Sequence, residues 1–185
     1  ARIQAAVEAH GIAACLTAAD HATGTDRLAE AAQRLGLPDD AIVVNVQGDE
    51  PLLSPALIRA VAELSAAHPD AAIATACHPI TDPAEAFNPN VVKVVFDRFG
   101  FALYFSRSPV PYERMGSDDK LQAIDYYKHI GIYAYAKDFL FTFKSLPQSR
   151  LEKTEKLEQL RVLENGYRIK VIETKFDTIG IDTPE

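Results

Sequence analysis

Residues 43–51 read Val-Val-Asn-Val-Gln-Gly-Asp-Glu-Pro, an apolar run that ends in an amide, a glycine and two carboxylates. The β-branched residues of this run, which lack polar alternation, predict a buried parallel strand covered by helices on both faces. Ligands of open α/β sheets bind at the carboxyl ends of such strands, so we expect Asp49 and Glu50 at a ligand site. Their hard oxygen atoms suit Mg²⁺. The alternative is an acidic turn after a core strand.

The segments around this strand alternate between strand and helix patterns. Residues 12–16 form a short apolar strand candidate, and a polar loop then leads into a helix that ends at Gly36. The glycine- and threonine-bearing start of this helix offers backbone N–H groups and hydroxyls to an anion or a base, or is a plain N-cap. A helix from Ser54 and a strand over residues 71–77 follow. The alternation predicts an α/β domain with a mainly parallel, Rossmann-like sheet and helices on both faces.

An antiparallel extension is predicted after this unit. Residues 91–107 have the pattern of a β-hairpin, and residues 108–123 that of a loop. In the following strand, over residues 126–135, His129, Gly131, Tyr133 and Tyr135 share one face. Such a face contacts a ligand, or is an edge or a subunit interface. The aromatic content of the hairpin and of this strand predicts a homodimer.

The C-terminal part supplies two further acidic positions. Ser149 and Glu152 form a capping-box pattern at the start of a helix that is predicted to run through Asn165. Glu158 lies away from the leucine stripe of that helix, so it either faces a site or is a solvated surface carboxylate. Asp182 follows a later strand. Two distant acids at strand tips, Asp49 and Asp182, suggest a shared metal ion.

Composition limits the class of protein. The 185 residues are 48% apolar, which is enough for one sizeable core and predicts a single domain over residues 1–185. A formal charge of −7 without a basic run argues against binding to DNA or RNA. The two cysteines, Cys15 and Cys77, lie in apolar contexts and are expected to be reduced thiols of a cytoplasmic protein. No signal peptide or membrane-spanning run is visible.

Both ends of the sequence have the pattern of interrupted elements. The chain opens inside an apparent helix that ends at Gly11, and it closes on Asp182-Thr183-Pro184, which is typical of a helix start. We therefore expect the visible sequence to lack an N-terminal strand and loop and a C-terminal helix.

An ordered set of motifs resembles one family, 3-deoxy-manno-octulosonate cytidylyltransferase, also called CMP-KDO synthetase. The resemblance runs through nearly all 185 residues. A lone Gly-Asp-Glu-Pro would be a weak signal, whereas the whole set in this order is specific. The motifs are His-Ala-Thr-Gly-Thr-Asp-Arg-Leu at 21–28, Asn-Val-Gln-Gly-Asp-Glu-Pro at 45–51, Phe-Asn-Pro-Asn at 87–90, Tyr-Phe-Ser-Arg at 104–107, His-Ile-Gly-Ile-Tyr at 129–133, Leu-Glu-Gln-Leu-Arg at 157–161 and Asp-Thr-Pro-Glu at 182–185.

The resemblance implies a nucleotidyltransferase fold and Mg²⁺-dependent transfer of CMP from CTP to the acid sugar KDO, with release of pyrophosphate, for lipopolysaccharide core synthesis. It implies that Asp49 and Asp182 are the catalytic metal ligands. It places Thr25 and Gln47, with Gly24 and Arg27 nearby, in the cytosine pocket. It also implies a sugar site formed by Arg107, His129, Tyr133, Glu158 and Gln159.

The sequence departs from the family in one respect. The family begins with a strand and an Arg- and Lys-bearing loop that holds the triphosphate, and nothing in these residues matches that loop. Two alternatives stay open. One is CMP transfer to a related acid sugar, such as amino-KDO or a sialate. The other is a catalytically inactive fragment that only binds nucleotide or dimerises.

Overall fold

The computed structural model describes residues 2–21, 23–48, 50, 52–114 and 126–177. Helices and strands follow in the order α1 (Arg2–Ala9), α2 (Gly24–Arg34), β1 (Ile42–Val46), α3 (Pro55–Ala67), β2 (Ile73–Pro79), α4 (Pro83–Phe87), β3 (Lys93–Phe96), β4 (Ala102–Ser106), β5 (Tyr127–Ala136), α5 (Lys137–Ser145), α6 (Arg150–Glu155), α7 (Gln159–Glu164) and β6 (Ile169–Glu173). No helix within these ranges has the length and apolar character needed to cross a membrane.

These elements form one mixed sheet in the order β4-β3-β5-β2-β6, with β1 paired to β5. The α/β class is confirmed, but the prediction of a mainly parallel sheet is wrong for the described strands. Only β2 and β6 pair in parallel, and the other pairs are antiparallel. The reason is the place of β5, which pairs with both β1 and β2 and so separates the two strands that the sequence pattern suggested as neighbours.

The hairpin of β3 and β4 was predicted correctly, but β5 is not part of a peripheral extension. This ten-residue strand contacts β1 over Val46–Ile42 and β2 over Pro79–Ile73, and thus lies at the centre of the sheet. Tyr133 is opposite Asn45 on one side and Thr75 on the other. The pairing of β2 shifts between Thr75 and Ala76, which marks a bulge in the middle of the sheet.

Two local predictions are also wrong. Residues 12–16 form no strand, and Ile12 and Leu16 are exposed rather than paired in the sheet. The helix predicted through Asn165 is divided into α6 and α7, because Lys156 adopts a left-handed conformation with φ 57° and ends α6. The capping box is confirmed, since the Ser149 hydroxyl and the Glu152 carboxylate each bond the other residue's backbone amide.

Apolar clusters cover both faces of the sheet, as predicted. Ile73 and Cys77 of β2 pack into a cluster with residues of β4, α5 and α7, including Phe105, Phe143 and Leu160. Ala74 and Ala76 face the opposite way, toward Leu57 and Val61 of α3. Side chains paired across neighbouring strands point to the same face of the sheet, so this alternation along β2 determines which residues of β5 point to each face. His129 and Tyr133 of β5 consequently lie on the side where α2 and α7 pack.

Candidate active site

A cleft of about 1230 Å³ lies beside the end of β1. The start of α2, the residues after β1, one face of β5, the loop after α4 and the turn between α6 and α7 all contribute to its walls. Most of the site residues predicted from the sequence line this one cleft. They are Gly24, Thr25, Arg27, Gln47, His129, Tyr133, Glu158 and Gln159.

The start of α2 is held in place by its own side chains. The Asp26 amide donates a 3.2 Å hydrogen bond to the Thr23 hydroxyl, which makes Thr23 the N-cap of α2. Thr25 in the first turn is buried, with 6% of its surface exposed. The Arg27 guanidinium donates to the Ala18 carbonyl at 2.9 Å. Arg27 therefore braces the loop before α2 while it lines the cleft.

Glu30 fixes the same loop from inside α2. Its carboxylate accepts a hydrogen bond from the Ala18 amide at 3.1 Å, and it also pairs with the His21 ring and with Arg34. The hydrogen bonds from His21 and from the Ala18 amide lower the pKa of Glu30. The carboxylate is therefore ionised near neutral pH, and it holds the loop before α2 against that helix.

The cleft face of β5 carries an aromatic row. The His129 ring lies 4.9 Å from the Phe105 ring and 5.3 Å from Tyr133, and Tyr133 stacks at 6.1 Å on Tyr135. Burial lowers the pKa of His129 to about 3. Burial, together with the nearby Tyr135 and Glu158, raises the pKa of Tyr133 well above its usual value. At neutral pH both side chains are uncharged groups for hydrogen bonding.

The Gln47 side chain packs against the cleft face of β5 at Gly131, which has no side chain. A Cβ atom built on Gly131 would lie 3.5 Å from the Gln47 amide nitrogen, so the amide packs directly along the backbone of β5. Asn45, two residues before Gln47 on β1, also lines the cleft. The end of β1 therefore brings amide groups beside the aromatic row. Amides offer both donors and acceptors, as recognition of a nucleobase edge requires.

Glu158 reaches the cleft from the opposite wall. The Thr25 hydroxyl donates a 2.9 Å hydrogen bond to Oε2 of Glu158. The neighbouring Gln159 is buried, with 4% of its surface exposed. The left-handed Lys156 ends α6 just before these residues, so the break in the predicted helix is what turns Glu158 toward α2. The Glu158 carboxylate therefore faces the cleft and is not a solvated surface group.

Arg107 does not line the cleft. Its Nε donates to the Glu155 carbonyl at 2.8 Å, and one terminal nitrogen donates to the Pro89 carbonyl at 2.9 Å. The Glu155 carboxylate in turn accepts from the Arg107 backbone amide at 3.0 Å. Arg107 thus connects the loop after α4 with the end of α6, and both of these segments border the cleft.

Asp49 and Asp182, the predicted metal ligands, lie outside the described residues. The residues on either side of Asp49, Gly48 and Glu50, both line the cleft. Among the described residues, no group of three or more histidine, cysteine, aspartate or glutamate side chains is arranged to hold a metal ion. The described part of the chain therefore leaves the two-aspartate metal site as a prediction.

Several residues that border the cleft are not among those expected from the sequence. Lys128 lines it and pairs with Glu85 at 3.2 Å and with Asp177 at 2.6 Å. The loop after α4 contributes Asn88 and Asn90. The Asn-Pro-Asn pattern of that loop was a usable signal, because its polar residues flank a proline turn. Lys128 gave no such signal, since its place depends on the pairing of β5.

Comparison with known proteins agrees with this geometry. A family model described as "Cytidylyltransferase" matches residues 1–171. The fold is also similar to a solved structure of CMP:2-keto-3-deoxy-manno-octonic acid synthetase complexed with CTP. The two chains are 42% identical with a TM-score of 0.88, and the match covers 99% of this chain and 72% of that chain. This chain belongs to the cytidylyltransferase family.

Proposed function

We propose that this protein transfers CMP from CTP to 3-deoxy-D-manno-octulosonate (KDO) and releases pyrophosphate. One observation carries the proposal. The residues expected for the nucleotide and four of the five expected for the sugar line a single cleft, in a chain that is 42% identical to a KDO-activating synthetase complexed with CTP. A transferase must hold both substrates together, and this cleft of about 1230 Å³ offers enough room.

The nucleotide side of the cleft is formed by Gly24, Thr25, Arg27 and Gln47. Residues at the N-terminus of α2 line the cleft, and the positive end of a helix dipole suits an anionic or carbonyl-bearing ligand. Gln47 offers an amide oxygen and an amide nitrogen to the cytosine edge. Arg27 adds positive charge, although part of its guanidinium is used to brace the loop.

The sugar side is assigned to His129, Tyr133, Glu158 and Gln159, with Arg107 proposed for the sugar carboxylate. The first four present hydroxyl, amide, carboxylate and imidazole groups, which match the polyhydroxylated body of an acid sugar. Arg107 makes its hydrogen bonds to backbone carbonyls through Nε and one terminal nitrogen. The second terminal nitrogen makes no hydrogen bond within the described residues, so it remains as the donor for a carboxylate.

Mg²⁺ is proposed as the cofactor, with Asp49 and Asp182 as its ligands. The residues fit the ion chemically, because hard carboxylate oxygens are what Mg²⁺ takes from proteins and the chain neighbours of Asp49 line the cleft. When bound, Mg²⁺ would neutralise charge on the phosphates and lower the pKa of the attacking anomeric hydroxyl. The remaining cleft residues would bind and orient the two substrates, so that the sugar hydroxyl attacks the α-phosphorus and pyrophosphate leaves.

The proposed assembly is a homodimer. Leu103 of β4 and Phe99 of the β3–β4 turn are 63% and 59% exposed, and Phe87 of α4 is 64% exposed. β4 ends the order of strands in the sheet, and we propose that its exposed Leu103 contacts a second copy. The cytoplasm is the proposed setting, supported by two cysteines that form no disulfide, and the product is the proposed sugar donor for lipopolysaccharide.

The test is pyrophosphate release by the full chain with CTP and Mg²⁺ and each of three acid sugars: KDO, its amino-substituted analogue and a sialate. We expect turnover to be fastest with KDO. A preference for either of the other sugars, or no release with any sugar while CTP still binds, contradicts the proposal. Asp49→Asn should abolish release without lowering the thermal midpoint, whereas Asp40→Asn, on an exposed turn, serves as the matched control.

A further inference from the structure

Thr75 is a fully buried polar residue at the bulge in the sheet. Its hydroxyl lies 2.7 Å from the Ile132 carbonyl and 3.4 Å from the Ile130 carbonyl, both on β5. A threonine hydroxyl has one proton, and a carbonyl can only accept. The short contact to Ile132 therefore takes the proton of the Thr75 hydroxyl.

The same hydroxyl oxygen lies 2.9 Å from Nε2 of His129. Because the Thr75 proton is donated to the backbone, the oxygen meets His129 as an acceptor. Nε2 must then carry the imidazole proton. Burial lowers the pKa of His129 to about 3, so the ring is neutral near pH 7 and Nδ1 holds a lone pair.

Nδ1 is left for a ligand. His129 lines the cleft, and within the described residues its ring makes a hydrogen bond only through Nε2. Its other ring contacts are with Phe105 and Tyr133, at centroid distances of 4.9 Å and 5.3 Å. These aromatic neighbours hold the plane of the ring, while Thr75 determines which nitrogen bears the proton.

We propose that Thr75 is a positioning residue that fixes His129 as the tautomer protonated on Nε2, so that His129 meets its substrate only as a hydrogen-bond acceptor. An acceptor pairs with a sugar hydroxyl and repels a carboxylate or a phosphate. His129 is thereby assigned to a hydroxyl of the acid sugar rather than to its carboxylate. This last step rests on the proposed function, whereas the tautomer does not.

The tautomer is measured in the free protein by two-bond ¹H–¹⁵N correlation spectra of the histidine rings. The chain has five histidines, and loss of one signal set in His129→Gln identifies the residue. We expect a protonated Nε2 and an unprotonated Nδ1 that do not change from about pH 5 to pH 8, the range where ordinary histidines titrate. A proton on Nδ1, a mixture of tautomers or a charged ring would overturn the proposal.

Two variants test the role of Thr75. Thr75→Ser keeps the hydroxyl, and we expect the spectrum of the natural protein. Thr75→Val keeps the shape and removes the hydroxyl, and we expect a mixture of tautomers. A pure Nε2–H tautomer in the valine variant shows that Thr75 does not fix the ring. If the valine variant does not fold, Thr75→Ala takes its place with the same expected result.

The ligand is tested by adding KDO in the presence of CTP, without Mg²⁺, while calorimetry records binding. We expect the Nδ1 resonance to move while Nδ1 remains unprotonated. If KDO binds but the Nδ1 resonance does not move, or if Nδ1 becomes protonated, the hydroxyl contact is contradicted. Failure of KDO to bind both in this experiment and when Mg²⁺ is present contradicts the proposed function. The tautomer of the free protein distinguishes that failure from a failure of the role of Thr75.

Discussion

The hydroxyl of Thr25 donates a 2.9 Å hydrogen bond to the carboxylate of Glu158, although 133 positions separate them in the chain. Thr25 lies in the first turn of α2 and is buried, and Glu158 immediately precedes α7. One of these residues is proposed for the nucleotide and the other for the sugar. The bond therefore joins the nucleotide side and the sugar side of the cleft directly. A substitution on one side should alter the binding of substrate on the other.

Thr25→Val should lower kcat/KM for both substrates. A hydrogen bond to a charged group contributes about 1.5–3 kcal/mol, which corresponds to a loss of roughly tenfold to a hundredfold. Steady-state pyrophosphate release, with each substrate varied in turn, measures the effect. Thr25→Ser keeps the hydroxyl and is the control. A rise confined to the Michaelis constant for CTP would show that the bond to Glu158 does not serve the sugar side.

Arg107→Ala should raise the Michaelis constant for KDO (the KDO requirement) far more than the Michaelis constant for CTP. The proposed carboxylate contact is a charge-assisted hydrogen bond, whose loss costs about 1.5–3 kcal/mol. The variant also loses two bonds to backbone carbonyls, so its thermal midpoint should fall. Arg98→Ala, on the β3–β4 turn, is a control for loss of charge. An Arg107 variant with a lower midpoint but an unchanged KDO requirement would give Arg107 a purely structural role.

Leu103→Glu should convert the proposed dimer to a monomer. Leu103 is exposed on β4 at the edge of the sheet, and a charge buried in an apolar interface without a partner is strongly unfavourable. Sedimentation at micromolar concentration measures the state of each protein. Leu35→Glu, at an exposed leucine at the end of α2, is the matched control and should remain dimeric. A monomeric natural protein would contradict the assembly itself.

Local signals in the sequence predicted most of the elements, whereas the family resemblance named most of the expected site residues that line the cleft. The capping box at Ser149 and the hairpin of β3 and β4 depend on neighbours in the chain, and each is confirmed. The ordered motifs grouped residues that the fold brings to one cleft. Such features are local or are conveyed by the motifs, so they do not require knowledge of which strands pair.

The sheet could not be predicted in the same way, because strand order depends on long-range pairing. Nothing in residues 41–46 or 71–77 indicates that β5 lies between them. The apolar stretch of β5 suits a strand at the edge of the sheet as well as one at its centre. The hydroxyl of Thr75 acquires its role only through that pairing. The break at Lys156 was also hidden, since a lysine is an ordinary helix residue and seldom adopts a left-handed conformation.

Glu152 supports the turn that carries Glu158 into the cleft, and it gives a prediction on stability. Its carboxylate forms a buried pair with Arg161, with contacts of 2.7 Å and 2.5 Å, and only 3% of the Glu152 surface is exposed. Breaking a buried pair by removing one partner costs about 3–5 kcal/mol. Glu152→Gln should therefore lower the free energy of unfolding by about that amount, measured with urea, while exposed Glu63→Gln changes it by less than about 0.5 kcal/mol.

The dependence of that stability on pH has a definite sign. Burial by itself raises the pKa of Glu152, but the hydrogen bonds from Arg161 and from the Ser149 amide outweigh burial, and the net pKa lies below the ordinary value of 4.5. Below pH 4.5 the unfolded chain therefore binds more protons at this residue than the folded chain does, so the stabilisation is lost as the pH falls through the folded pKa. The difference in unfolding free energy between the natural protein and Glu152→Gln should be constant near neutral pH and should shrink in acid. A difference that stays constant from neutral pH to about pH 3 would mean that the pair with Arg161 does not hold the pKa down.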